Sequence, residues 1–399
     1  MKNFLVVTLG AHASGKSTFL EKKKLDKYVI SADKIRALFS APIQKENGYL
    51  TISKGKEKIV GDLIKDATRD RVAKGEFTII DDTNTRSKKW KEYLDLCNEY
   101  GAELICLDFR NDNRKELITR DKLRDEYKKV GTDVINRDVD RLEKLVLPKQ
   151  VKVLKPEEWD EFFAFEYQDL NNYKKIHHFG DIHGCFDPLN EYLKDGLKED
   201  EFYIFVGDYI DRGIQNAEVL EFLFTINGRS NVIMLEGNHE FPLRKWAKCL
   251  TTKSDEFNSY TKNEIEKKNI SKKKVNKMLS NLKSYFAYEY EGKKVLVNHG
   301  GITKIPKTKY EIPTEQMIRG VGNYQFDVDG AFTENSKKNE YQLHGHRNIY
   351  KVPSFASKNS FNLEYGKEKG GYLRIMTLTN EGFKSVEIKN NVFSNRYEK

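Results

Sequence analysis

In the second half of this chain, five short polar blocks follow apolar, strand-like stretches such as FYIFV, VIML and VLV. They are GDIHG (Gly180–Gly184), GDYIDRG (Gly207–Gly213), GNHE (Gly237–Glu240), NHGG (Asn298–Gly301) and HGHR (His344–Arg347). Loops at strand ends gather side chains into one place. Carboxylates, amide oxygens and imidazoles are the ligands that hard and borderline metals take. A lone histidine is ordinarily structural and a Gly-Asp pair is turn chemistry. Five such blocks in this order predict a centre for two ions about 3.5–4 Å apart, sharing a carboxylate and acting on a phosphate.

The first ~150 residues read differently, with short apolar runs alternating with helix-like stretches, which predicts a parallel sheet with crossover helices. GAHASGKST, from Gly10 to Thr18, follows the apolar run Phe4–Leu9 and precedes a helix-like segment. Gly10, Gly15, Lys16, Ser17 and Thr18 fit the P-loop pattern, in which backbone N–H groups cradle nucleotide phosphates. Lys16 is expected to neutralise the β- and γ-phosphates of ATP, and Ser17 to offer its hydroxyl to Mg²⁺. Asp33 in ISADKIRALF and Asp82 in FTIIDDTN are candidate acceptor-side carboxylates, although Asp33 taken alone reads as a helix cap. Arg114, Arg120, Arg124 and Arg137 lie in a helix-like segment, and Arg120 and Arg124 are spaced one turn apart on one face. An arginine lid of this kind stabilises charge on a transferring phosphoryl group.

Composition adds bounds. The 399 residues imply two domains, and no apolar run is long enough to span a bilayer, so no membrane partner is expected and the chain is placed in the cytoplasm. The opening MKNFLVVTLG runs straight into the glycine-rich loop and reads as a buried first strand. Cys97, Cys106, Cys185 and Cys249 show no metal-ligand spacing and suit a reducing compartment. A net charge of +9 is compatible with a nucleic-acid partner, and equally with a lysine-rich genome. Residues 151–175 read as a packed connector between domains 1–150 and 176–399. A basic helical insertion is expected at about 243–290, where Val275, Met278, Leu279, Leu282 and Phe286 recur at helical spacing. It reads as an amphipathic helix with a solvated face, or as a basic cap over the second site.

The order P-loop, SADKIR, DDTN and arginine lid resembles the polynucleotide 5′-kinase family of end-healing enzymes. The resemblance implies that Asp33 is the general base, that Arg36 holds an acceptor phosphate, and that Asp82, Thr83 and Asn84 form the substrate-side DTN segment. It also implies that Arg124 is the transition-state arginine of the lid, with Arg120 beside the nucleotide. Ser31 and Ala32 depart from the family pattern just before the general base. The five later blocks resemble the calcineurin-like metallophosphoesterases, in particular the branch containing the PPP phosphatases. That resemblance implies an α/β/β/α sandwich behind the P-loop NTPase-like domain. Asp181 and His183 would bind one metal, Asp208 would bridge, and Asn238, His299 and His346 would bind the other, Mn²⁺ or Ni²⁺ being expected. Asp211 would orient His239 as the proton donor, and Arg212 would clamp the phosphate. Asn348 stands where some relatives place a further histidine, and His177, His178 and His344 are left with structural roles. Together the two resemblances imply a bifunctional enzyme that heals RNA or DNA ends, with sealing left to a separate ligase. The alternative is a small-molecule or protein kinase joined to a PPP-like protein phosphatase.

Overall fold

The computed structural model describes residues 4–393 apart from 45, 47, 49, 54, 112 and 348–358, and divides them into two compact units. The first comprises the described residues of 4–164 and Thr308–Pro313. Its strands are β1 (Phe4–Leu9), β2 (Val29–Ser31), the hairpin β3 (Ile43–Gln44) and β4 (Leu50–Thr51), β5 (Thr78–Asp81), β6 (Glu103–Asp108) and β7 (Lys152–Leu154). Its helices are α1 (Lys16–Lys22), α2 (Ala32–Phe39), α3 (Glu57–Ala73), α4 (Ser87–Tyr100), α5 (Arg114–Lys122), α6 (Thr132–Glu143) and α7 (Trp159–Phe163). The main sheet runs β2-β5-β1-β6-β7 and every pairing in it is parallel. All six residues of β1 are buried, as a strand covered on both faces requires.

Three boundaries differ from the sequence expectation. Residues 151–164, read as connector, supply the edge strand β7 and the helix α7 of this unit. Trp159 and Phe163 are buried there, and Phe163 packs edge-on to Phe4 and Phe77. The expected arginine-bearing helix is two helices: α5 stops at Lys122, so Arg124 lies beyond its end and does not share a helical face with Arg120. In the other unit the basic helical stretch ends at Asn281; Leu282 caps it in extended geometry and Phe286 belongs to a strand.

That second unit comprises the described residues of 165–307 and 314–393. It contains β8 (Gln168–Asp169), β9 (Lys175–Phe179), β10 (Glu201–Phe205), β11 (Val232–Met234), β12 (Tyr285–Tyr290), β13 (Lys293–Asn298), β14 (Glu340–His344), β15 (Ser360–Asn362), β16 (Tyr372–Thr379) and β17 (Gly382–Lys389). The helices are α8 (Phe186–Tyr192), α9 (Asn216–Ile226), α10 (Glu240–Ala247), α11 (Lys262–Lys267), α12 (Lys272–Asn281), α13 (Thr314–Arg319) and α14 (Val328–Asn335). Two five-stranded mixed sheets form, ordered β11-β10-β9-β16-β17 and β15-β14-β13-β12-β8. Strand alternation sorts the side chains. Phe202 and Ile204 of β10 join Phe286, Val295 and Leu343 in one core, whereas Tyr203 and Phe205 join Leu220, Val275, Met278 and Leu279 of the helices in another. The lysine-rich α12 therefore buries an apolar face, which is the amphipathic-helix reading.

The spare histidines His177 and His178 are buried in side-chain and backbone hydrogen bonds. His178 is fully buried, with Nδ1 2.8 Å from the Met376 carbonyl and Nε2 2.8 Å from the Tyr288 hydroxyl. Burial pulls its pKa down to about 3, against an ordinary value of about 6.5. The unfolded chain takes up a proton between these values and the folded chain does not, so stability is present above about pH 6.5 and drains as pH falls. By pH 4 His178 alone should cost about 3 kcal/mol. Urea unfolding at pH 6.5, 5.5 and 4.5 should give a steeper loss for the native chain than for His178→Gln. Parallel pH dependences would remove the assignment.

Candidate functional site

In the first unit, β1 runs into the loop Gly10–Gly15 and then α1. Lys16 Nζ donates to the carbonyls of Gly10 (2.9 Å) and Ala11 (2.7 Å) and to Ser14 Oγ (3.3 Å). Burial holds its pKa down at about 8, against the pull of Asp81 and Asp82. Thr18 is exposed on α1. The Ser17 hydroxyl donates to Asp81 Oδ2 at 3.1 Å, so the acid facing the loop is the last residue of β5. The sequence places Asp82 on the acceptor side. Asp82 instead pairs with Lys89 at 3.0 Å and accepts the Thr83 N–H at 2.7 Å. These contacts outweigh its burial and keep it below the usual carboxylate range. The Thr83 carbonyl accepts the Gly10 N–H. Asn84 is buried, and its side-chain amide donates to the Thr8 carbonyl at 2.9 Å. Its place is thus inside the fold, tying the β5 loop to β1.

On the acceptor side, Asp33 sits in the first turn of α2. Arg36 Nη1 donates to Asp33 Oδ1 at 2.6 Å, and Nε and Nη2 donate to the two Glu57 oxygens at 2.8 Å each. Asp33 keeps 55% of its side chain exposed. On the lid side, Arg114 donates to the Asn136 carbonyl and to Asp140, linking α5 to α6. Arg120 pairs with Glu116, and Arg137 is exposed. Arg124 donates to the buried Asp121 at 3.1 Å, and its charge reaches Lys16. His12, within the loop, lies 2.5 Å from the buried Asp138 of α6, a pairing that the sequence does not announce.

The second unit brings its five blocks together. His183, Asp208 and His239 place ligand atoms within 4.8 Å of one another, as do Asp208, His299 and His346, and Asp181, His183 and Glu364. Asp208 belongs to two of these groups: its Oδ2 is 3.1 Å from His299 Nε2, 3.7 Å from His183 Nε2 and 3.9 Å from His239 Nε2. The far nitrogens are oriented by backbone carbonyls, His299 Nδ1 by Val206 at 3.0 Å and His183 Nδ1 by Ile210 at 3.1 Å. Such second contacts set which nitrogen faces a metal. Asn238 Oδ1 is buried with no hydrogen-bond partner among the described residues, and a buried acceptor left so is what a cation would satisfy. The donor set therefore fits a dinuclear divalent-metal centre. His183, Asp208, Asp211, Arg212 and His346 all have φ between 46° and 71°, left-handed backbone that clusters where function requires it.

Supports lie behind these groups. His239 Nδ1 is 2.7 Å from Asp211 Oδ2; burial opposes its charged form, but Asp208 and Asp211 outweigh this and lift its pKa to about 9. Thr261, in the helical insertion, donates to the other Asp211 oxygen. Arg212 lies 3.0 Å from His183 and 3.4 Å from His239 through its two terminal nitrogens. Glu240 is fully buried and accepts N–H groups from Asp208, Tyr209 and Gly237 at 2.7–3.0 Å. Glu364, beside Asp181 and paired with buried Lys367 at 2.8 Å, was missed; it lies in NLEYG, where nothing marks it out from a surface acid. His344 is buried against Asp329 at 3.0 Å. Asn348 lies outside the described residues.

Known proteins agree with this division. The calcineurin-like phosphoesterase family matches residues 174–373, half of the chain, and an AAA domain family matches residues 5–146. A serine/threonine-protein phosphatase PP1-delta of Caenorhabditis elegans is 48% identical over 66 residues, 16% of this chain and 22% of that protein. The chain thus spans less than a quarter of that curated relative. Among solved structures, a Saccharomyces cerevisiae protein serine/threonine phosphatase has a TM-score of 0.38 at 17% identity, covering 55% of this chain and 80% of that one. A Sphaerobacter thermophilus metallophosphoesterase has a TM-score of 0.34 at 14% identity, covering 55% and 90%. Among the described residues, no helix is long and apolar enough to cross a membrane. With its metal-ligand blocks gathered at the strand ends and half its length matched, the chain belongs to the calcineurin-like phosphoesterase family and carries a P-loop domain on its N-terminal side.

Proposed function

We propose that the chain heals nucleic-acid ends, phosphorylating a 5′-hydroxyl at the P-loop site and removing a 3′-phosphate or opening a 2′,3′-cyclic phosphate at the second. The observation that carries the kinase half is the Asp33–Arg36 pair at 2.6 Å, braced by Glu57, with the Asp33 carboxylate left exposed. An ionised carboxylate there takes the proton of an acceptor hydroxyl, while the adjoining guanidinium holds that strand's phosphate. The open setting admits the end of a polymer. Lys16 holds the β- and γ-phosphates of ATP, Ser17 and Asp81 are the oxygens that would hold Mg²⁺, and Arg124 steadies the transferring group.

In the second site, two divalent ions held by Asp181, His183, Asp208, Asn238, His299 and His346 would supply charge neutralisation and a nucleophile at neutral pH. Arg212 binds the phosphate oxygens, and His239, oriented by Asp211, gives its proton to the leaving oxygen. A second reading, a kinase joined to a PPP-like protein phosphatase, draws on the 48% identity to PP1-delta.

One RNA oligonucleotide with a 5′-hydroxyl and a 2′,3′-cyclic phosphate separates the two readings. Incubated with ATP, Mg²⁺ and Mn²⁺, its 5′ end should gain a phosphate and its 3′ end lose one, by mass spectrometry. Intact RNA beside a dephosphorylated phosphoserine peptide would establish the second reading instead.

A further inference from the structure

The mouth of the metal centre carries exposed rings that the chemistry above does not use. Arg347 follows the ligand His346, is buried, and donates to the carbonyls of Gly300, Arg319, Val321 and Asn323 at 2.7–3.3 Å. One guanidinium thereby fastens the loop after α13 to the loops bearing His299 and His346. Gly320 and Gly322 in that loop have φ of +77° and +75°. A Cβ at 320 would collide with Arg347 and one at 322 with the Phe326 ring. The loop is built to one shape, and that shape presents Tyr324.

Tyr324 is 50% exposed, its hydroxyl donates to the His346 carbonyl at 3.1 Å, and its ring lies 5.8 Å from the His346 ring. Phe241 is 40% exposed two residues beyond His239, with the Arg319 guanidinium 5.9 Å from its ring centre. Single exposed apolar side chains need no explanation. Tyr324 packs on the candidate ligand His346, and Phe241 follows the proton donor His239 two residues on, with Arg319 of the helix leading into the Tyr324 loop beside its ring.

We infer that Tyr324 and Phe241 form a subsite that stacks on the terminal nucleobase of a 3′-phosphorylated strand, setting its phosphate on the metal centre. This rests on the nucleic-acid reading of the site. Every base offers a π-face, so stacking on aromatic side chains accepts any sequence, and Arg319, paired with Glu315 at 3.4 Å, holds its guanidinium beside the Phe241 ring. A phosphoserine peptide has no planar group at that distance from its phosphate.

The test uses two oligonucleotides identical except that the 3′-phosphorylated terminal nucleotide bears a base or is abasic. Wild type should favour the base-bearing end in kcat/KM by about tenfold. The ratio should fall towards one in Tyr324→Ala and in Phe241→Ala. Tyr324→Leu keeps an apolar contact with His346, should lose the same preference, and guards against a folding artefact. Equal kcat/KM on both ends in wild type, or a preference that survives all three variants, overturns the subsite. Loss of activity confined to a phosphotyrosine peptide would assign the rings to a different substrate and overturn it too. If neither strand is hydrolysed while a phosphopeptide is, the nucleic-acid reading fails, and the subsite with it.

Discussion

Asp208→Asn is expected to lower phosphoester hydrolysis about 10³-fold while ATP-dependent phosphorylation continues. Asp208 Oδ2 has three imidazole nitrogens within 3.9 Å, and no other carboxylate among the described residues belongs to two of the metal-ligand groups. A neutral amide keeps the shape and can still accept the His239 N–H that Asp208 Oδ1 takes at 2.9 Å, so the loop should stay folded. What it removes is the negative charge of the one carboxylate shared by both ligand groups that would hold the cations. At an effective dielectric of 20 that charge is worth about 4 kcal/mol, which converts to about 10³ in rate. The measurement is hydrolysis of a 3′-phosphorylated oligonucleotide by purified variant, with bound Mn²⁺ counted by elemental analysis. A variant that keeps two metals and near-native turnover would show that Asp208 does not bridge them.

Lys16→Ala should have the complementary effect, lowering phosphoryl transfer from ATP by about 10³-fold and sparing hydrolysis. The ammonium donates to two loop carbonyls and a serine hydroxyl, and burial has drawn its pKa down to about 8. Negative phosphates at the same place restore what burial took away, so the interaction strengthens as charge gathers on the transferring group. Transfer of the γ-phosphate to a 5′-hydroxyl oligonucleotide, measured beside 3′-phosphate release by the same sample, reads both sites at once. Loss of both activities together would point to a folding defect, and unchanged transfer would remove Lys16 from the site.

Much of both sites was legible because their chemistry is written in short contiguous blocks. Gly10–Thr18 announces a phosphate loop, and GDIHG, GDYIDRG, GNHE, NHGG and HGHR announce ligands, since loop residues at strand ends need few neighbours in sequence to be recognisable. The two-domain α/β architecture followed from the same alternation of apolar runs and polar loops. Contacts between distant segments were not legible. Ser17 meets Asp81 and not Asp82 because Asp81 ends β5 beside the loop, whereas Asp82 lies past the strand and is drawn to Lys89. Asn84 turns inward because the Thr8 carbonyl of β1 needs a donor. Glu240 serves as a buried anchor for three N–H groups of the metal-binding loops, and Glu364 joins Asp181 from a segment 183 residues later. Local sequence determined which residue types carry the chemistry, because ligand and phosphate-loop patterns are short-range. Only tertiary structure decided which carboxylate faces which partner, because that depends on strand register and on burial, which no single block encodes.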